Sequence, residues 1–189
     1  MRSLDVRPTA VTTSDAAHNA AWRLVERLRC IHVVRSSRLS DETGDGTTYW
    51  FHRTFDAYFV ILSADVAPES PAACDALLFA IGYYLTTKTA REGGDRSEPS
   101  NETRREWATA WVDAFKERGA RHGFWSGAHL VRQAESVAES ILYRRGVRVP
   151  NVFIEYPEGG LYDRRTSGSK HGLRRLLGAS LVARPDGLE

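Results

Sequence analysis

The sequence predicts an α+β fold that is predominantly helical, with four main helices and a few short strands. Three observations carry that expectation. Four stretches repeat apolar residues at helical spacing between recognisable caps, and several short aromatic and β-branched runs lie between turn residues. In addition, 42% of the 189 residues are apolar, with five Trp, seven Tyr and seven Phe to fill a core. This length suits one domain with a small appendage, and the composition excludes collagen-like, largely disordered and disulfide-scaffold chains. The alternative is an all-α bundle in which 47–64 is another helix, because a short apolar run is not assigned by period alone.

The first helix is expected from Ser14, a good N-cap, with Ala17, Ala21, Leu24, Val25 and Leu28 on one face. The second starts at Ser70-Pro71, an N-cap followed by proline at the first helical position, and ends at Gly93-Gly94. Its middle, including Leu77, Leu78, Phe79, Ile81, Tyr84 and Leu85, is apolar almost all round, which marks a central buried helix. A polar surface loop over 91–103 precedes the third helix. There Trp107, Trp111, Val112 and Phe115 face inward, Arg104, Arg105, Glu117 and Arg118 face outward, and Gly119 ends the helix. The fourth runs over 126–145, with Leu130, Val131, Ala134, Val137, Ala138, Ile141 and Leu142 inward and Arg144-Arg145-Gly146 as a cation-then-glycine ending. Strands are expected at 58–62 and 151–156, and 48–54 is expected to pair with 30–35 across the polar turn 41–46.

The charge is unevenly placed. Lysine and arginine number 26 against 24 acids, and only Lys88, Lys116 and Lys170 are lysines. Residues 157–189 hold six bases and four acids, so the preceding 156 are balanced and the excess of +2 lies in the tail. The domain reading is therefore 1–156 as a single α-rich globular domain and 157–189 as a basic, Gly/Ser-containing C-terminal extension. Cys30 and Cys74 are far apart in apolar surroundings and read as free buried thiols. Residues 1–20 lack the apolar segment of a secretory signal, and the longest uncharged run, 76–87, falls short of the ~20 residues that span a bilayer. An intracellular protein with no membrane partner is the expectation.

Motifs for cofactors fail. Around Lys170 the upstream glycine is misplaced for a phosphate-binding loop and no hydroxyl follows the lysine, and no G-x-G-x-x-G occurs. His122, His129 and Glu135 lack the spacing of a zinc site, so neither metal nor cofactor is expected. His52 and Asp56 would form an acid/base pair only on a helix. Arg165 and His171 stand six apart, just before the helix-like 173–181. This resembles the R-x4-6-H pattern of helical RNases of the HEPN type, with Thr166 at the polar position after the arginine and without a second motif. The resemblance implies metal-independent RNA cleavage, His171 moving the proton and Arg165 neutralising phosphate.

The leading functional expectation is a non-enzymatic binding subunit of a larger assembly that contacts RNA or DNA backbone. Arg144, Arg145, Arg148, Arg164, Arg165, Lys170, Arg174 and Arg175 would neutralise phosphates, and Tyr143, Tyr156 and Tyr162 would stack on bases. The alternatives are the RNase, an enzyme with a pocket around His52, His129 and the tryptophans, or an adaptor for other protein subunits. The adaptor would be marked by an exposed apolar patch on the third or fourth helix.

Overall fold

Residues 13–39, 48–54, 56–94, 98–124, 127–150, 153–155 and 161–163 are described by a computed structural model. Among them the chain is α+β and predominantly helical, as the sequence predicts. In order come α1 (Thr13–Leu28), β1 (Ile31–Ser36), β2 (Tyr49–Arg53), β3 (Tyr58–Ser63), α2 (Pro71–Glu92), α3 (Asn101–His122) and α4 (Gly127–Arg144). A short antiparallel hairpin of β4 (Phe153–Glu155) and β5 (Leu161–Asp163) follows.

The sequence starts α2 with a cap and fills it with apolar side chains. The Ser70 hydroxyl accepts from the Ala73 amide at 3.2 Å, and Pro71 occupies a first-turn position where no donor is needed. Ala76, Leu77, Leu78, Ala80, Ile81 and Leu85 are then sealed from solvent. A helix that is apolar on every side has to be covered on every side, and α1, α3, α4, β2 and β3 all pack on it. A close approach to α3 occurs at Gly82. A Cβ built there would lie 2.8 Å from Trp111 Cε3 and 3.0 Å from the Ala108 carbonyl oxygen. Trp111 itself stacks on Phe115, with ring centroids 4.7 Å apart, and its indole N–H donates to the Ala134 carbonyl of α4 at 2.9 Å. One buried indole thus touches α2 and ties α3 to α4.

The three-stranded sheet has the order β1-β3-β2, with β3 parallel to β1 and antiparallel to β2. The expected pairing of 30–35 with 48–54 is therefore corrected: both segments are strands, but 58–63 lies between them. The central slot has partners on both edges, and the most apolar run takes it, burying Tyr58, Val60 and Leu62. The β2–β3 connection is a short turn in which the Thr54 amide donates to the Ala57 carbonyl at 2.8 Å, so those two strands form the hairpin. Residues 49–53 and 58–63 being strands, the all-α alternative does not hold.

Two helix boundaries also differ from expectation. The loop read over 91–103 is shorter, because α2 continues to Glu92 and Ser100 caps α3 by accepting from the Thr103 amide at 3.1 Å. α3 runs past Gly119, against which the Phe124 ring packs, and ends at Gly123 with φ +73°. Cys30 and Cys74 are free, as read, but only Cys74 is buried and Cys30 is half-buried. Among the described residues no helix is long and apolar enough to cross a membrane.

In an exposed helix, alanine in place of glycine adds up to about 1 kcal/mol of stability. At Gly82 the sign reverses, since the methyl has no room. Gly82→Ala is expected to lower unfolding free energy by roughly 1–3 kcal/mol in urea titration, and an unchanged or raised midpoint would contradict the close α2–α3 approach.

Candidate nucleic-acid interface

Short connections make α2, α3 and α4 run up and down, so the end of α2, the start of α3 and the end of α4 share one pole of the molecule. The segment after α4 lies directly on α2, since a Cβ on Gly93 would run into the Arg148 carbonyl. Arg144, Arg145 and Arg148 are exposed at this pole, and among the described residues none of them is in an ion pair. Nearby acids are engaged: Glu92 with Lys88 at 3.8 Å, and Glu98 with Arg91 at 3.8 Å and Arg104 at 3.9 Å.

Two further arginines line one groove beside this pole. Arg53 ends β2 and Arg105 stands on the first turns of α3, and together with Phe51, Thr54, Tyr83 and Asn101 they line an open groove of about 490 Å³. Its aromatic wall is firm, because Phe51 and Tyr83 have ring centroids 4.9 Å apart and the Tyr83 hydroxyl donates to Asn101 Oδ1 at 3.5 Å. Among the described residues no carboxylate lines it. The field of these guanidiniums reaches the neighbouring phenols. Burial pushes Tyr58 up from its ordinary value while Arg53 and Arg91 pull it back, and burial together with Asp75 pushes Tyr49 up against the pull of Arg105.

On the opposite face of the same strands the register sets two rows of side chains side by side: His32, Phe59 and His52, then Val34, Ile61 and Trp50. His32 stacks on Phe59 at 5.1 Å between ring centroids and Trp50 meets His52 edge-on at 6.0 Å. Trp50 is 51% and Val34 42% exposed, and these two are the large exposed apolar side chains among the described residues. The apolar patch is thus on the sheet, whereas the adaptor reading placed it on the third or fourth helix.

Of the residues proposed from sequence, Arg144, Arg145 and Arg148 are gathered at one pole, Tyr143 is half-buried beside them, and Tyr162 belongs to β5. Arg164, Arg165, Lys170, His171, Arg174, Arg175 and Tyr156 lie outside the described residues. His52 is exposed on β2 and Asp56 lies beyond the strand end, so the helical geometry that would pair them is absent. Glu135 is held by Lys88 at 3.5 Å and Arg132 at 3.6 Å, and no group of three or more metal-binding side chains occurs among the described residues. His129 is exposed on α4 while Trp111 is sealed in the core, so the expected pocket of His52, His129 and tryptophans is not assembled. Sequence reasoning missed Arg53, Arg105, Asn101 and Trp50. The available signal was the run Tyr49-Trp50-Phe51-His52-Arg53, which places aromatic rings on both faces of one strand.

No family model matches the chain, and no solved structure matches it. A curated protein that is similar is the crossover junction endodeoxyribonuclease RuvC of Bifidobacterium animalis subsp. lactis (strain AD011), 38% identical over 63 residues. The match covers 33% of this chain and 33% of that protein, so the chain spans about a third of the length of the curated relative it matches.

The phenols and thiols behind the sheet share one electrostatic trait. Burial raises Cys30, Cys74, Tyr49, Tyr58 and Tyr84 above their ordinary 9.0 and 10.0, and Tyr84 is raised further by its hydrogen bond with Cys30. Each group holds its proton more tightly folded than unfolded. Their contribution to stability is therefore complete below about pH 9 and is lost as pH rises through the unfolded and then the folded values. Melting temperature is expected to hold between pH 7 and about 9 and to drop steadily from there to about pH 11. A flat profile across the alkaline range would overturn this.

Proposed function

We propose that this chain binds nucleic acid, holding phosphates with arginine and stacking bases on exposed rings. The observation that carries the reading is the groove at the β2 edge, where Arg53 and Arg105 stand beside Phe51 and Tyr83 with no carboxylate among the described lining residues. Guanidinium pairs neutralise phosphates and release counterions. Trp50, His52, His32 and Phe59, on the other face of the same strands, offer flat rings for unstacked bases, which favours a single strand over a duplex as the partner. Arg144, Arg145 and Arg148 extend the basic surface, and the tail bases Arg164, Arg165, Lys170, Arg174 and Arg175 serve as a second arm. The partial similarity to a crossover junction endodeoxyribonuclease supports nucleic acid as the ligand, DNA in the first place. Work within a larger assembly of protein subunits fits such a binding component.

Fluorescence anisotropy with single-stranded DNA and RNA over a salt series tests the proposal on the full chain. Affinity is expected to fall with salt, and Arg53→Ala with Arg105→Ala to flatten the log–log slope by about 0.7 for each phosphate that is no longer neutralised. Trp50→Ala is expected to cost roughly 1–3 kcal/mol if one base stacks there. Changing Arg164, Arg165, Lys170, Arg174 and Arg175 together to Ser measures the tail's share. Absence of saturable binding at low salt would remove the reading.

A second reading is cleavage, favoured by the similarity to a nuclease. Arg165 and His171 are the residues the sequence offers for it. Incubating labelled strands with wild type, His171→Ala and Arg165→Ala decides it: cutting that disappears in both variants assigns the chemistry to that pair, and no cutting by wild type eliminates it.

A further inference from the structure

Helical spacing puts Arg104 on the outer side of α3, yet it is only 5% exposed. It lines a cavity of about 240 Å³ together with Thr87, Ala90 and Arg91 of α2, Glu98 and Pro99 of the connection, Thr103 and Trp107 of α3, and Val147 after α4. Two residues of this lining each bury a polar atom that, among the described residues, has no hydrogen-bond partner: Arg104 Nε and the Thr87 hydroxyl, the latter on a residue 2% exposed. A guanidinium does not lose its proton in a protein, so one taken out of water needs an anion and hydrogen-bond acceptors. Among the described residues the anion beside them is Glu98, which is 80% exposed and stands 3.9 Å from Arg104 Nη2 and 3.8 Å from Arg91 Nη2, beyond hydrogen-bond reach of either. Two cations thus face, among the described residues, one distant carboxylate that solvent also claims.

We propose that this cavity is a binding site for a phosphate monoester. The match is one of charge and of donors. Such a group carries about −1.5 to −2 charges and three acceptor oxygens. Arg104 offers the fork of Nε and Nη2, Arg91 a second guanidinium at the mouth, and Thr87 a hydroxyl. The Thr103 hydroxyl is taken, lying 2.9 Å from that of Ser100. The start of α3 adds its positive dipole end. Trp107 supplies an apolar wall for whatever the phosphate is attached to. The cavity is below the roughly 300–1,000 Å³ of sites for drug-sized ligands, so the phosphate and the first atoms of its substituent enter and the remainder lies at the mouth. Glu98 occupies the position of the ligand's charge and swings out when the phosphate binds. The monoester comes either from a free small molecule or from the phosphorylated end of a strand. The site is independent of the groove at Arg53 and Arg105, so either proposal can fail alone.

Isothermal titration of the full chain compares inorganic phosphate, adenosine 5′-monophosphate, adenosine and benzoate. Phosphate and the monophosphate are expected to bind saturably, adenosine and benzoate not. Arg104→Lys, which keeps the charge and loses the fork, is expected to weaken binding about tenfold or more. Because Arg104 is buried, the deciding variant is the exposed Glu98→Gln. Removing the competing carboxylate should tighten phosphate binding by about threefold or more, a gain that a purely structural Glu98 would not produce. An oligonucleotide with a 5′-phosphate, compared with the same strand ending in a hydroxyl in the Arg53→Ala, Arg105→Ala background, separates the two sources. Preference for the phosphorylated end assigns the strand terminus, and equal binding of the two strands assigns the free monoester. No saturable binding of phosphate or monophosphate, or an affinity unchanged in Glu98→Gln, overturns the proposal.

Discussion

The burial of α2 on every side is the constraint from which the rest of the structure follows. A helix whose middle carries apolar side chains around the whole circumference has no stable position at a surface, so α1, α3, α4 and the sheet are arranged as its cover. Gly82 sets how closely that cover sits, and Trp111 uses the space to join the central helix to the two behind it. Because the covering helices alternate in direction, the termini of three helices coincide at one pole.

That coincidence is what concentrates basic side chains. Arg91 ends one helix, Arg104 and Arg105 begin the next and Arg144 ends the last, while Arg53 arrives on a strand. Each is unremarkable where it stands in the chain, and arginine near a helix C-terminus is favoured by the dipole alone. Packing converts this scatter into two different environments one residue apart on α3. Arg105 lines an open groove with aromatic walls, and Arg104 a smaller, more sheltered cavity beside the Thr87 hydroxyl, which is unpartnered among the described residues. The first suits a long flexible anion, the second a compact one.

Much of the fold was legible because its signals are local. Ser70-Pro71 announced a helix start, the continuous apolar run announced its burial, and Trp107, Trp111 and Phe115 marked the inward stripe of α3. The strands at 31–36, 49–53 and 58–63 were also visible, but their pairing was not. Alternation states which face of a strand is buried and says nothing of which strand lies beside it. The inner position went to 58–63 because that segment has most to gain from two covered edges. The same limit applied to the site. Arg144, Arg145 and Arg148 were picked out by closeness in sequence, whereas Arg53 and Arg105 are 52 positions apart and no periodicity joins them.

The sequence by itself determined the surplus of arginine over lysine, and it determined the helices and their inward stripes because these depend on neighbours within a turn or two. Tertiary structure alone decided the strand order, the placing of Arg53 and Arg105 along one groove and the burial of Arg104. On helical spacing Arg104 belongs to the solvent face, and at most positions a charged side chain there stays hydrated. Here the end of α2 and the segment after α4 close over it. Whether a guanidinium faces water or a cavity is set by what the distant chain places above it, which no local pattern encodes.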